Sequence, residues 1–105
     1  MPEHLYALHY TYPPDMLERR APHREAHLAH IAAWYADGRV IIAGATGDPA
    51  SGGLIVLRGP TPELAEQFAA ADPYMAAGLI VEHRVEPYTV VTPVAQPGSP
   101  QGQTD

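Results

Sequence analysis

"RVIIAGA" (residues 39–45) and "GLIVLRG" (residues 53–59) decide the fold. Each is a short apolar run, and the intervening "TGDPASG" (46–52) is rich in turn formers, so the two read as paired strands joined by a longer loop. Val40, Ile41, Ile42 and Ala43 are apolar in succession, as are Leu54, Ile55, Val56 and Leu57. Successive strand side chains point to opposite faces, so both faces of this pair are apolar. That is the pattern of a sheet covered on both sides.

The flanking segments complete the order. "HLYALHYTY" (4–12) is aromatic-rich and alternating, and "YPP" closes it, which predicts a strand. Asp15 to Asp37 carries helical spacing and stops at Gly38, a C-terminal cap; Pro22 predicts either a kink or a new first turn. "TPELAEQFAAA" (61–71) predicts a helix with Thr61 as N-cap, Pro62 at the first helical position and Glu63 in the first turn. "DPYMAAG" (72–78) repeats that design in miniature, with Asp72 as cap and Gly78 as terminator. "LIVEHRVEPYTVV" (79–91) predicts a last long strand bent at Pro87.

Strand, helix, strand, strand, helix, strand is the ferredoxin-like βαββαβ order of an α+β protein. Right-handed crossovers put both helices on one face of a four-stranded antiparallel sheet. The other face then lacks a cover, and a second copy is the simplest one, so a homodimer through the open sheet face is expected. Residues 1–92 are expected to form one domain, and the Pro/Gly-rich 93–105 a flexible tail.

Composition narrows the partners. The 105 residues fit one domain with a modest core, and a hydrophobic share of 46% sets the chain apart from disordered sequences. A net charge of −6 argues against a nucleic-acid partner, which needs clustered cations. The six basic residues are all arginine, suited to gripping a small anionic group. With no cysteine there is no disulfide framework or thiolate chemistry. No apolar stretch approaches the ~20 residues of a membrane span. "MPEHLYALHY" lacks a basic segment followed by an apolar run, so a cytoplasmic location is the expectation.

The chemistry centres on "HREAHLAHIAAW" (23–34), which carries His23, His27 and His30. On a helical wheel Leu28, Ile31, Ala32 and Tyr35 form the apolar stripe. His27 falls at its border, flanked by Ile31 and Trp34, whereas His23 and His30 turn toward solvent. His23 and His27 are spaced i,i+4 and could share a metal ion, but no "HExxH" pattern accompanies them and no metal is assigned. A border histidine can instead bond a backbone carbonyl, or act as a base if a partner fixes its tautomer. Asp72 is the candidate partner, in competition with its capping role. Arg24 falls within the stripe, where it could form an ion pair or bind an anion. Tyr74 could donate a phenolic hydrogen bond or pack its ring against the sheet. Arg20 is a solvated charge unless Pro22 turns the chain inward, and Tyr6, Tyr10 and Tyr12 are expected to pack in the core or the dimer.

Three motifs taken together resemble one family. "RAPHREAHL" (20–28), "ADPYMAAGLI" (71–80) and "VEPY" (85–88) are similar to those of YciI-like proteins, also called YCII-related domains, over about residues 4 to 92. The resemblance implies a ferredoxin-like protomer that dimerises into an α/β barrel, with a histidine–aspartate pair as active site. Carried over, the pair is His27 and Asp72, and the motif arginines are Arg20 and Arg24. One departure is Ala45, which stands where many relatives have a proline after the glycine of "IIAGAT".

The leading expectation is a small-molecule lyase or isomerase without a cofactor, with His27 and Asp72 moving protons and Arg24, Tyr74 and Arg20 binding substrate. One branch of the family is implied to remove hydrogen chloride from a chlorinated hydroxyhydroquinone. A base of this kind supplies ~10²–10⁴ in rate, enough for an activated carbon acid. The alternatives are a non-catalytic metabolite-binding or accessory dimer, and a metal-dependent oxygenase-like barrel using His23 and His27.

Overall fold

A computed structural model describes residues 4–93; most of the expected tail lies outside the described residues. The strands are β1 (His4–Thr11), β2 (Val40–Thr46), β3 (Gly52–Gly59) and β4 (Glu82–Tyr88), and every adjacent pair is antiparallel in the order β2-β3-β1-β4. This is the expected ferredoxin-like α+β arrangement. The helices are α1 (Met16–Arg19), α2 (Arg24–Ala36), α3 (Glu63–Ala71) and α4 (Pro73–Ala76).

Alternation in β1 sends Tyr6, Leu8 and Tyr10 to the helix side. Their partners across the sheet, Leu57 and Ile55 on β3 and Val85 on β4, join the same core with Phe68 and Leu64 of α3. Leu8, Leu57 and Phe68 have no exposed surface. A register shift between Val40 and Ile42 inserts one extra residue into β2. Val40 and Ala43 thereby both pair with helix-side residues, although strict alternation would separate them.

Of the kink and the new first turn expected at Pro22, the structure has the new turn. The first helical region is split: α1 ends at Arg19, a 3-10 turn spans Ala21–His23, and α2 begins at Arg24. Pro22 lacks the N–H that a continuous helix needs, so it sits in the connecting turn. Gly38 (φ +80°) terminates α2: its N–H donates to Tyr35 O and that of Arg39 donates to Trp34 O. Gly78 (φ +74°) ends α4 in the same way, through Met75 O and Tyr74 O. These paired bonds are Schellman motifs, which a glycine at positive φ permits.

Two further expectations are corrected. Thr61 does not cap α3; Pro62 does, and the carbonyls of Thr61 and Pro62 accept the first N–H groups. The last strand is shorter than 79–91, because Leu79 and Ile80 turn into the core before β4 starts.

The open sheet face has two halves. Ile42, Leu54 and Val56 make the β2–β3 half apolar, and Ile42 is 65% exposed. On the β1–β4 half, His9 donates from Nε2 to Glu86 Oε2 at 2.7 Å, and Arg84 Nη1 lies 3.0 Å from the same oxygen. That hydrogen bond, with the Arg84 charge assisting, holds the Glu86 carboxyl below its ordinary range.

A carbon added at Gly52 would fall 2.5 Å from the Tyr10 carbonyl oxygen, whereas one at Gly44 meets nothing within 4 Å. Gly52→Ala is therefore expected to lower stability by about 1–3 kcal/mol in urea unfolding. Gly44→Ala is expected to stay within roughly 0.5 kcal/mol of the parent.

Candidate functional site

Asp72 gathers the site. It follows α3 with extended backbone (φ −68°, ψ 126°) and opens α4, a geometry that aims its side chain back at the turn it caps. Oδ1 accepts from the Tyr74 N–H at 2.9 Å and from His27 Nδ1 at 2.8 Å, and Oδ2 accepts from the Tyr10 hydroxyl at 2.9 Å. Asp72 is 1% exposed and His27 6%, so these bonds are made away from water. Capping and holding the histidine are one arrangement rather than alternatives.

A carboxylate ringed by donors fixes the histidine tautomer: Nδ1 carries the proton and donates, and Nε2 is left as the free nitrogen. The Tyr74 ring stacks on the imidazole with centroids 3.7 Å apart and planes 5° from parallel, which prevents the ring from tilting. Beside it lies a hollow of about 260 Å³ lined by His27, Tyr74, Tyr12, Arg20 and Arg24, with Ile31, Ile55 and Ala43 among its apolar walls. Ala45 also lines it, so the departure from the family pattern falls on the wall itself.

The helical-wheel stripe is corrected. His27 is the one buried residue of α2, and the helix packs through His27, His30, Ile31 and Trp34. Tyr35 (54% exposed) faces outward, and Leu28 (45%) lies at the mouth of the hollow rather than in the core. Both sides of α2 carry apolar residues, so contacts with α3 set its rotation: His30 Nε2 donates to Phe68 O at 2.9 Å, and Trp34 meets the Phe68 ring edge-on. Hence His30 is half-buried rather than turned to solvent. Arg24 is exposed at the rim of the hollow, not enclosed in a stripe, and Arg20 joins it there because the 3-10 turn swings the chain inward. His23 is not joined to His27 by further donors; among the described residues no group of three or more His, Asp or Glu could hold a metal ion. Tyr6 packs in the core as expected.

Tyr10 is the site residue that the sequence reading missed. Alternation in "HLYALHYTY" had already put it on the buried face, and a buried phenol needs a partner. The Tyr74 hydroxyl is buried with no hydrogen-bond partner among the described residues. Burial pushes the Tyr10 phenol far up, and the charge and hydrogen bond of Asp72 add to this. Burial likewise pushes Tyr12 up to about 12, with Tyr74 and Asp72 adding and Arg20 and Arg24 opposing. Both phenols thus stay protonated donors at neutral pH.

Fold and site together define a ferredoxin-like protein with a buried histidine–aspartate contact beside a small hollow. The chain belongs to the YCII-related domain family, whose model matches residues 4–89. It is 32% identical over 96 residues to Protein YciI of Escherichia coli O6:H1, spanning 83% of this chain and 98% of that protein. An uncharacterized protein of Haemophilus influenzae is 30% identical over 89 residues, 74% of this chain and 89% of that protein. Among solved structures, 5-chloro-2-hydroxyhydroquinone dehydrochlorinase (TftG) of Burkholderia phenoliruptrix, in complex with 2,5-dihydroxybenzoquinone, superposes with a TM-score of 0.69. It is 22% identical, over 81% of this chain and 93% of that one. A NIPSNAP-like domain protein of Burkholderia xenovorans has a TM-score of 0.54 at 16% identity, over 94% of this chain and 97% of that one. No helix among the described residues is long and apolar enough to cross a membrane.

The raised phenols give a pH prediction. In the folded state Tyr12 keeps its proton above the ordinary 10.0, up to about 12, so in that window the folded chain binds more protons than the unfolded one. Stability is therefore expected to be intact below that window and to fall as pH rises through it. Denaturant midpoints measured across this range should fall less steeply in Tyr12→Phe than in the parent.

Proposed function

We propose that this protein is a small-molecule lyase or isomerase in which His27 and Asp72 act as a general acid/base pair. The observation that carries the reading is the 2.8 Å contact between His27 Nδ1 and a fully buried Asp72 at the wall of a hollow. Nε2 takes a proton from a C–H or O–H group of the guest. The electron pair left behind moves into an adjacent carbonyl or ring, giving an enolate or phenolate. The imidazolium then returns the proton to a carbon, which completes an isomerisation. Where that carbon bears chlorine it becomes saturated, and when Nε2 takes a second O–H proton the new enolate electron pair forms a C=C bond and expels chloride, so that HCl is lost overall. The imidazolium formed meanwhile is stabilised by the Asp72 carboxylate, as in a catalytic triad. Arg20 and Arg24 at the rim face the developing oxyanion, and Tyr74 holds the plane of the base. The dehydrochlorinase similarity supports a substrate of the polar-ring class.

Two isosteric variants test the pair. His27→Asn keeps an amide N–H near the Nδ1 position but removes Nε2. Asp72→Asn offers Tyr10 an N–H and keeps an acceptor for Tyr74. With 5-chloro-2-hydroxyhydroquinone as probe, chloride release by the His27 variant is expected to fall about 10²–10⁴-fold while circular dichroism is unchanged. Chloride release at the parental rate by both variants contradicts the reading. A parent that binds the probe or its analogues but never turns them over favours the metabolite-binding alternative.

The open sheet face is proposed to be covered by a second copy, because its β2–β3 half exposes Ile42 beside Leu54 and Val56. Sedimentation at micromolar concentration is expected to give a dimer, and Ile42→Glu a monomer. A parent that sediments as a compact monomer contradicts the proposal.

A further inference from the structure

The hollow beside His27 contains a hydroxyl that the proton-transfer step does not use. Tyr12 lines the hollow, and among the described residues no hydrogen bond holds its phenol. Its ring is fixed nonetheless. Tyr74 meets it edge-on, with centroids 6.0 Å apart at 84°, and Tyr10 packs on it at 6.2 Å. The sheet beneath is cut away to fit it: a side-chain carbon at Gly53 would lie 2.8 Å from the Tyr12 hydroxyl. Gly53 pairs with Ala45, another wall of the hollow, so the strands leave room for the phenol beside the hollow.

Tyr12 is half-buried at the hollow, so its hydroxyl is available to donate to a group bound there. Tyr74 also lines the hollow, and its hydroxyl is buried with no hydrogen-bond partner among the described residues. Among the described residues, the charged groups lining the hollow are the Arg20 and Arg24 guanidiniums. The remaining walls, Leu28, Ile31, Ile55 and Ala43, are apolar. A guest that suits these walls has a flat ring, whose faces meet the apolar side chains, and carries a negatively charged oxygen.

We infer that Tyr12 is a specificity-determining residue of this site: its phenol donates a hydrogen bond to the oxyanion of a planar enolate- or phenolate-type ligand, whose charge it shares with Arg20 and Arg24. The inference rests on the hollow being the binding site of the proposed function, and it adds the ligand's chemical class. Because the phenol stays protonated to about 12, it serves as donor and leaves the base role to His27. Gly53 acts through Tyr12, as a positioning residue that makes room for its hydroxyl.

The test uses 4-nitrophenolate as probe and nitrobenzene as its uncharged analogue, with binding followed by calorimetry. The parent is expected to prefer 4-nitrophenolate. Tyr12→Phe should bind it about tenfold more weakly, since a hydrogen bond to a charged group is lost. Its affinity for nitrobenzene and its unfolding midpoint at neutral pH should be unchanged. Gly53→Ala should reproduce the selective loss, because the added methyl displaces the phenol. If Tyr12→Phe binds 4-nitrophenolate like the parent, or loses both probes equally, Tyr12 has no such role and the inference falls while the His27–Asp72 reading stands. If the parent binds neither probe at millimolar concentration, the hollow is not a site for planar guests, and the inference falls together with the reading beneath it.

Discussion

A single carboxylate ties three parts of the chain together. Asp72 is almost wholly excluded from water, and its oxygens accept from Tyr10 on β1, His27 on α2 and the backbone of Tyr74 at the start of α4. Burying a charge is costly unless it is hydrogen-bonded, and removing one partner of a buried pair leaves the other stranded. The sheet, the long helix and the short helix are therefore held at the spacing that these donors need. The hollow lies beside the imidazole held in this way, with His27 and Tyr74 in its wall.

The economy of the site comes from local sequence. "DPYMAAG" (72–78) supplies a cap whose side chain reaches further than its own helix, a proline that starts the turn, and a glycine that ends it. It also supplies a tyrosine whose backbone N–H orients Asp72 while its ring lies flat on the imidazole. Four residues of helix thus fix both members of the pair. The orienting partner and the ring restraint arrive on the same turn, so movement of α4 would disturb both together.

Much of this was legible from residue order. Alternation in 4–12 and the apolar runs 39–45 and 53–59 gave the strands, and Gly38 and Gly78 marked helix ends, because these signals are local. The meeting of His27 with Asp72 was legible only through the family resemblance, since on their own the border histidine could bond a backbone carbonyl and the aspartate could serve as a cap alone. The rotation of α2 was not legible. Leu28, Ala32 and Tyr35 make as good an apolar stripe as the one that packs, and the choice is made by Phe68, which lies 38 residues from His30. The extra residue in β2 and the inward swing of Arg20 were equally hidden, since each depends on what the chain meets across space. Tyr10 was hidden for a different reason: an aromatic on a core face needs no second role until its hydroxyl is followed to a partner.

The central claim is that Asp72 holds the proton of His27 on Nδ1 and leaves Nε2 free, and nitrogen NMR of the ¹⁵N-labelled imidazole reads this directly. The account predicts, for the neutral ring, a protonated Nδ1 whose hydrogen exchanges slowly with water and an Nε2 with the signature of an unprotonated ring nitrogen. A proton residing on Nε2, or the averaged pair of shifts seen for a freely exchanging histidine, would contradict it.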